Sequence, residues 1–245
     1  MFKKLILVTA LIFTVNLHSQ DLGFGDSPFG LGGGYTGQWI IPDVDWLNTS
    51  LSGFGTSDLG KSGFYASGGT GFIYVGFIKN LRVGGIGLGG STSEKVTLNG
   101  VNREAVYSYS MGGVTLEYTL PFIRNWGVSV GAVIGGGSAS VELYRYDNSP
   151  VVWDNILNDI KNPAASVNNY GRKMSTSFWV ITPTLNIDVP LHPLVSVRLG
   201  GGYTLPLNKG DWKLDNGQVI SNVPSDSKNN AFYVQLGIIA GLIFY

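Results

Sequence analysis

Apolar and polar positions alternate along several stretches of the chain, and this pattern is typical of β-strands with one apolar face. In the segment 175–188, Trp179 and Leu185 fall on one face of such a strand, while Thr182 and Asn186 fall on the other. Similar alternation occurs at 126–143, 194–205 and 231–245. An apolar face on nearly every strand predicts a sheet whose side chains face two different environments.

Eight segments are predicted to be strands, and the connections between them alternate between short and long. The strands are 31–41, 65–78, 82–93, 105–119, 126–143, 175–188, 194–205 and 231–245. The short connections, 79–81, 120–125 and 189–193, contain Asn or Pro. The long ones, 42–64, 94–104, 144–174 and 206–230, collect Asp, Asn and Ser. This rhythm predicts an up-and-down antiparallel β-barrel of about eight strands with both termini on the side of the short turns. A hairpin within 144–174 would raise the number to ten.

The two ends of the chain differ in hydrophobic character. Residues 1–19 have the charged start and short apolar run of a secretory signal peptide, and 20–30 would follow as a periplasmic segment. A membrane-spanning helix needs about 20 apolar residues, whereas the apolar segment 231–245 is shorter and contains Gln235. The barrel is therefore expected to occupy 31–245.

Composition favours a membrane protein over a soluble one. Only 13% of the 245 residues are charged, about half of the usual fraction. Acidic and basic residues number 16 each, so the chain lacks the basic surface of a nucleic-acid-binding protein. There is no cysteine, which excludes a lipoprotein anchor, disulfides and thiolate metal sites. Strands that enter a bilayer must close into a barrel, because every backbone group needs a partner; we expect it in the bacterial outer membrane.

Aromatic residues cluster near the predicted strand ends, as in the interfacial girdles of membrane barrels. Those near the long loops are Trp39, Tyr65, Tyr107, Tyr144, Trp179, Tyr203 and Tyr233. Those near the short turns are Phe77, Phe122, Trp126, Phe244 and Tyr245. Two girdles of this kind would mark the two faces of the membrane.

From these features the chain resembles the small bacterial outer-membrane barrels typified by the OmpA transmembrane domain, OmpX and OmpW. The ending Gly237 to Tyr245 is similar to the C-terminal signal of that family, although its two aromatics are adjacent. The resemblance implies contact with outer-membrane lipid and lipopolysaccharide, and recognition of the last strand by the barrel-assembly machinery. We expect a monomer that binds no nucleic acid.

Candidates for catalysis or cofactor binding are weak. His18 lies in the predicted signal peptide and His192 in a predicted periplasmic turn, so neither is placed to act as a base at the surface. The run Gly85 to Gly90 matches a dinucleotide-binding pattern but is followed by a polar stretch and not by a helix. Its small residues are instead expected on the inner face. No catalytic residue, cofactor or metal is predicted.

Three charged residues are predicted to face the barrel interior, namely Glu117, Asp188 and Arg198. A buried ion-pair network is the simpler interpretation of this polar set, and a selective constriction in a pore is the alternative. Arg82 lies close enough to its turn for its side chain to reach water, and it need not take part in the set.

The predicted loops offer two further features. Asp43 with Asp45, and Asp211 with Asp215, could supply oxygen ligands to calcium, but ordinary solvated acids are the simpler interpretation. An apolar cluster within 151–160 is spaced for a short helix, which could cap the barrel, bind a partner or pack on neighbouring loops.

Function is the least determined property. A non-enzymatic structural or surface-interaction barrel is favoured, because about eight strands leave an interior that side chains can fill. A narrow channel for small or hydrophobic solutes is the alternative, and an outer-membrane enzyme is less favoured.

Overall fold

A computed structural model of the chain describes residues 29–56, 58–123, 125–147, 149, 150, 152–161 and 169–244. The predicted signal peptide, most of the segment 20–30 and the terminal Tyr245 lie outside these ranges. No helix in the described ranges is both long enough and apolar enough to cross a membrane.

Eight long antiparallel strands close into a barrel. They are β1 (Phe29–Pro42), β2 (Phe64–Tyr74), β3 (Leu81–Leu98), β4 (Val101–Thr119), β5 (Gly127–Tyr146), β6 (Tyr170–His192), β7 (Val195–Lys209) and β9 (Ala231–Phe244). A two-residue strand, β8 (Lys213–Leu214), pairs with β6 in the loop between β7 and β9. Each long strand pairs with its neighbours in sequence, and β1 pairs with β9 to close the barrel. Helix α1 (Asp45–Leu51), a 3₁₀ turn (Ser52–Phe54) and helix α2 (Trp153–Lys161) lie in the loops.

The predicted architecture is confirmed, with all eight strands and all three short turns present. One predicted loop is wrong. Instead of a loop at 94–104, β3 and β4 continue to a tight hairpin turn at Asn99 and Gly100, which have φ values of 52° and 78°. Two consecutive residues with positive φ match the twist of a hairpin, and Asn and Gly adopt them at the lowest steric cost. Within 144–174, the described residues between β5 and β6 contain α2 and no additional hairpin.

The outer face of the barrel is apolar, as the alternation predicted. On β9, Val234, Leu236 and Ile238 are exposed, while the residues between them point inward and are buried. The same holds on other strands for Leu31, Ile73, Val114, Leu116, Val130, Ile134, Leu185 and Leu199. A band of this size exposed to water would be strongly unfavourable, so this surface is the lipid-facing side of a transmembrane barrel.

Aromatic side chains border this band at both ends. Trp39, Tyr65, Trp179 and Tyr203 are outward and exposed toward the loops, and Phe77, Phe122 and Trp126 are exposed toward the turns. Tyr144 is also outward, but it lies further toward the loops than this girdle, beyond Glu142 on β5. The assignment of Tyr107 and Tyr233 to the girdle is wrong. Both are almost fully buried, because they lie in phase with the inward residues of their strands. The side chains of Phe244 and Tyr245 lie outside the described part of the chain.

Some glycines in the run from Gly85 to Gly90 face outward, although they were expected on the inner face. The inward position of Arg82 puts Ile86 and Leu88 inside the barrel, where both are buried, so Gly85 and Gly87 face outward. Gly87 lies beside Gly69 on β2 and Gly112 on β4, and Gly112 lies beside Gly136 on β5. The prediction that this run supplies small residues to the interior is therefore wrong for these two glycines.

A hydrophobic core fills the loop-side half of the barrel. Its inward side chains include Ile40, Leu88, Met111, Tyr109 and Phe178, with the Tyr109 and Phe178 rings 6.0 Å apart. The loops close this core from above. Helix α1 contributes Trp46, Leu47 and Leu51, and the ring of Trp46 lies 5.6 Å from that of Trp212 in the loop after β7. The interior on this side is packed in the manner of a soluble protein.

Strands β3 to β6 are longer than the others and rise beyond the loop-side girdle as a wall. The first charged pairs on the outer face of this wall lie above the girdle, where Lys173 Nζ is 2.7 Å from Glu142 Oε1. Tyr144 donates a hydrogen bond to the same carboxylate at 2.5 Å. These contacts hold the pKa of Glu142 below its usual value. Strand residues above the girdle thus face water on their outer side.

Candidate functional site

Two pairs of opposite charges lie directly across neighbouring strands inside the turn-side half of the barrel. Arg82 on β3 is the register partner of Glu117 on β4, and Asp188 on β6 is the register partner of Arg198 on β7. Each residue is close to the end of its strand nearest the short turns. All four are at most 3% exposed.

The carboxylate of Asp188 accepts hydrogen bonds from both arginines. Arg198 donates from Nε to Oδ1 at 2.6 Å and from Nη2 to Oδ2 at 2.9 Å, which is the bidentate geometry that makes such pairs strong. Arg82 donates from Nη1 to Oδ2 at 2.5 Å. Because β3 and β6 are not neighbours, this last contact crosses the barrel and joins the two pairs into one network.

The carboxylate of Glu117 is equally well satisfied. Arg82 donates from Nε to Oε2, and Asn186 donates from Nδ2 to Oε1 at 3.0 Å. Arg198 Nη1 lies 3.8 Å from the same Oε1. Ser129 on β5 accepts a hydrogen bond from Arg82 Nη2 at 2.5 Å. Two cations and two anions therefore compensate one another, as buried charges require.

Uncharged side chains extend the network to the strands that close the barrel. Gln235 on β9 donates to Asn186 Oδ1 at 2.5 Å, and Gln38 on β1 donates to Gln235 Oε1 at 3.3 Å. The ring of Phe72 on β2 lies 4.5 Å from Arg82 Cζ and 5.0 Å from Arg198 Cζ, within the range of cation–π attraction. Side chains from all eight long strands thus meet at this level.

The structure brings together the three residues singled out from the sequence, Glu117, Asp188 and Arg198. The expectation for Arg82 is wrong, since its side chain is fully buried and contacts both acids. Its inward direction follows from the register, because it lies opposite Glu117 on the inner face. The sequence alone could have shown this, because Arg82 and Glu117 are equally far from the hairpin turn that connects their strands and therefore lie opposite one another.

A layer of threonines separates the charged network from the hydrophobic core. Thr36, Thr70, Thr115, Thr182, Thr184 and Thr204 are inward and buried. Thr182 donates to Thr204 Oγ1 at 3.2 Å, and Thr204 contacts the sulfur of Met111 at 3.4 Å. A second, small apolar cluster of Phe72, Tyr74, Ile239 and Ile243 lies at the turn side. From the charged network toward the loops, the interior passes from ions through hydroxyls to apolar side chains. Side chains fill the cross-section of the barrel interior in the charged, the polar and the apolar layer.

The other candidates are dispersed. His192 is the last residue of β6, next to the turn that leads to β7, and its Nδ1 accepts a hydrogen bond from the Leu194 amide at 3.2 Å. Asp43 and Asp45 are exposed in the loop after β1. The described residues contain no group of three or more His, Asp or Glu side chains that could hold a metal ion.

Helix α2 confirms the helix predicted from the apolar cluster in the third long loop. Its described apolar side chains are not covered by neighbouring loops, since Trp153 is 73% exposed and Ile156 and Leu157 are also exposed. Val151, part of the predicted cluster, lies outside the described residues.

The loop-side mouth of the barrel holds a pocket of about 780 Å³ that the sequence did not indicate. Its walls include Leu143 and Arg145 on β5 and Tyr170 and Arg172 on β6. Phe54 of the 3₁₀ turn and the segment 214–220 complete the lining. We call it the mouth pocket. Its arginines fall in the stretch 144–174, whose polar composition predicted a loop; extended strands there place them on one inner face.

Comparisons with known proteins give distant structural likenesses. No protein-family model and no curated protein matches the chain. A major outer membrane protein from Thermus thermophilus aligns at a TM-score of 0.43 and 10% identity, over 85% of this chain and 98% of that one. The outer membrane protein OprG from Pseudomonas aeruginosa aligns at 0.39 and 12%, over 89% and 96%. Ail, the attachment invasion locus protein of Yersinia pestis, aligns at 0.37 and 12%, over 89% and 99%.

At these scores and identities no functional property is carried over from those proteins. The chain's own geometry assigns its class: a closed antiparallel sheet of eight long strands, an apolar outer band between two aromatic girdles, and long loops at one end only. It is an eight-stranded transmembrane β-barrel of the bacterial outer membrane.

Proposed function

We propose that the protein is a closed, non-enzymatic outer-membrane barrel whose role is structural or interactive and is carried by its extracellular face. The observation that supports this proposal is the filled interior. Arg82 and Asp188 bridge the barrel at the turn side, and the core beneath Trp46 and Trp212 fills the loop side. An aqueous path would have to displace both.

A narrow channel is the competing function. In that case the four charges of the network would line a wet constriction and attract or exclude ions. Their mutual contacts argue against it, because each carboxylate oxygen already accepts from a protein donor. A conducting constriction needs charges that can solvate a passing ion.

The absence of enzymatic activity is also part of the proposal. His192 is the histidine in the described ranges. It lies next to the periplasmic turn, and its Nδ1 accepts a hydrogen bond from the backbone amide of Leu194. It is separated from the extracellular loops by the length of the barrel. A base in this position has no access to substrates at the cell surface.

Single-channel recording tests the closed barrel directly. The refolded protein is incorporated into planar lipid bilayers at high salt, with a known porin as the positive control for detection. We expect no discrete conductance steps from the wild-type protein. Reproducible steps whose size changes in Glu117→Gln or Arg198→Gln would contradict the proposal and favour the channel.

Contacts with lipopolysaccharide and recognition of β9 by the barrel-assembly machinery remain predictions. The outward series on β9 and its complete pairing with β1 are compatible with both. A monomeric state also remains a prediction.

A further inference from the structure

The mouth pocket carries an excess of positive charge. Arg145 on β5 and Arg172 on β6 belong to its lining. Arg103 on β4 is the register partner of Arg145 and lies beside the pocket, where it contacts the lining residue Phe54. Like charges directly opposite one another on neighbouring strands destabilise a sheet. The ion pairs found in the described part of the chain include none with these three arginines.

Two of these arginines are held in place by neutral groups. Arg103 donates from Nη1 to the carbonyl oxygen of Phe54 at 2.9 Å, and its Cζ is 5.8 Å from the Phe54 ring. Arg172 Cζ lies 4.6 Å from the ring of Tyr170. A carbonyl oxygen and an aromatic face leave the guanidinium charge uncompensated. The two guanidinium groups are therefore held in fixed positions and can bind a partner that carries negative charge.

Apart from Gln218 and the hydroxyl groups of Tyr144 and Tyr170, the remaining walls of the pocket are apolar. Leu143 and Met174 belong to the barrel wall, and Leu214, Val219 and Ile220 come from the loop that β8 fastens to β6. A volume of about 780 Å³ lies within the range of sites that bind small molecules. An inorganic anion alone would make no contact with most of these apolar side chains.

We infer that the mouth pocket binds a soluble anionic amphiphile, in which a phosphate, sulfate or carboxylate group is attached to an aromatic ring or a short apolar chain. The anion contacts Arg145 and Arg172, and the apolar part lies against Leu143, Met174 and Ile220. The ligand comes from the external medium, because the pocket lies between the loops and the parts of β5 and β6 that rise above the apolar band.

This inference rests on the proposed role of the extracellular face, but it does not require a sealed interior. Conductance steps in planar bilayers would overturn the closed barrel without affecting a binding measurement at the mouth. Loss of binding in an electrically silent barrel would overturn the mouth site alone. The two failures are therefore distinguishable.

Equilibrium dialysis tests the site with 1-naphthyl phosphate as the probe and with the protein in nanodiscs of zwitterionic phosphatidylcholine. We expect saturable binding that is weakened at least about tenfold, or about 1.4 kcal/mol, in the double variant R145Q/R172Q. The control K61Q/K79Q removes the same charge from exposed residues outside the pocket and should bind within about twofold of wild type. A heat-shift gel verifies that each variant is folded.

Two further probes test the chemistry of the ligand. The uncharged 1-naphthol and inorganic phosphate should each bind at least about tenfold more weakly than 1-naphthyl phosphate, since each lacks one half of the interaction. Equal binding of 1-naphthol, or equal loss in R145Q/R172Q and K61Q/K79Q, would overturn the inference. Replacing part of the phosphatidylcholine by phosphatidylglycerol should leave binding unchanged. Competition by that lipid would overturn the assignment to a soluble ligand.

Discussion

Arg82 and Asp188 are 106 residues apart in the chain, and their side chains meet across the barrel interior at 2.5 Å. The strands that carry them, β3 and β6, are separated by β4 and β5, so the contact depends on the curvature of the sheet. It joins two cross-strand ion pairs that would otherwise be local. Several consequences for stability and titration can be measured.

Breaking the contact from either side should destabilise the barrel strongly. We expect Arg82→Gln and Asp188→Asn each to cost about 3–5 kcal/mol, because each leaves a buried charge without its partner. The double variant restores the balance of charge and should cost less than the sum, with a coupling of about 0.5–3 kcal/mol. Equilibrium urea unfolding in lipid vesicles, followed by tryptophan fluorescence, measures all three.

Lys79→Gln is the matched control for this cycle, since Lys79 is exposed in the neighbouring turn. Its effect should stay within about 0.5 kcal/mol. Strict additivity of the two interior substitutions would contradict a direct interaction between Arg82 and Asp188.

Two neighbouring glycines on β5 should respond oppositely to a methyl group. A Cβ at Gly137 would lie 2.4 Å from Cε2 of the Phe178 ring, whereas at Gly136 the nearest atom is a carbonyl oxygen at 3.8 Å. Phe178 is buried against Tyr109 and has little room to move. Gly137→Ala should cost about 1–3 kcal/mol, and Gly136→Ala should be neutral or slightly stabilising. Urea midpoints that shift equally for both would refute the inward placement of Gly137.

The hairpin turn between β3 and β4 should depend on Gly100. Its φ of 78° disfavours any side chain by about 1–2 kcal/mol. We expect Gly100→Ala to raise hydrogen exchange at the amides of the hairpin end, around Val96 and Arg103, without changing global unfolding. Gly87→Ala is the control, because no other atom lies within 4 Å of its added Cβ. Unchanged exchange in Gly100→Ala would mean that 94–104 is a loop after all.

Glu142 should titrate below the ordinary range for glutamate. Lys173 and the Tyr144 hydroxyl stabilise its ionised form and lower its pKa. The folded state therefore gains stability from Glu142 above the ordinary glutamate range, and loses it as the pH falls through the lowered pKa. The gain is small because Lys173 is largely in water. A carboxyl ¹³C NMR titration reports the midpoint directly.

Lys173→Gln should raise that midpoint toward the ordinary value, whereas Lys95→Gln should leave it unchanged. A wild-type midpoint at or above about 4.3 would argue against the Lys173 contact.

Much of the fold follows from the sequence because a lipid-facing strand must alternate. The outward series on β6, β7 and β9 was predictable for this reason, as was the inward position of Asp188 and Arg198. The alternation ends where the membrane ends. Above the girdle the outer face of a strand meets water, so the extensions of β3 and β4 had the composition of a loop. The hairpin turn at Asn99 and Gly100 was the available signal.

Side chains near element ends were the other source of error. Arg82 is close enough to its turn for a long side chain to reach water, and only the register opposite Glu117 directs it inward. Tyr107 and Tyr233 are aromatic, as girdle residues are, but they occupy inward positions in the alternation of their strands. Arg145 and Arg172 became neighbours through the pairing of β5 and β6, which depends on contacts distant in the sequence.

The charged network has a consequence for the assembly of the barrel. Its two arginines and two acids come from β3, β4, β6 and β7, so pairing of the strands from β3 to β7 is enough to bring together all four charges. Their sum is zero. The network can therefore enter the bilayer with no net charge and without a counter-ion.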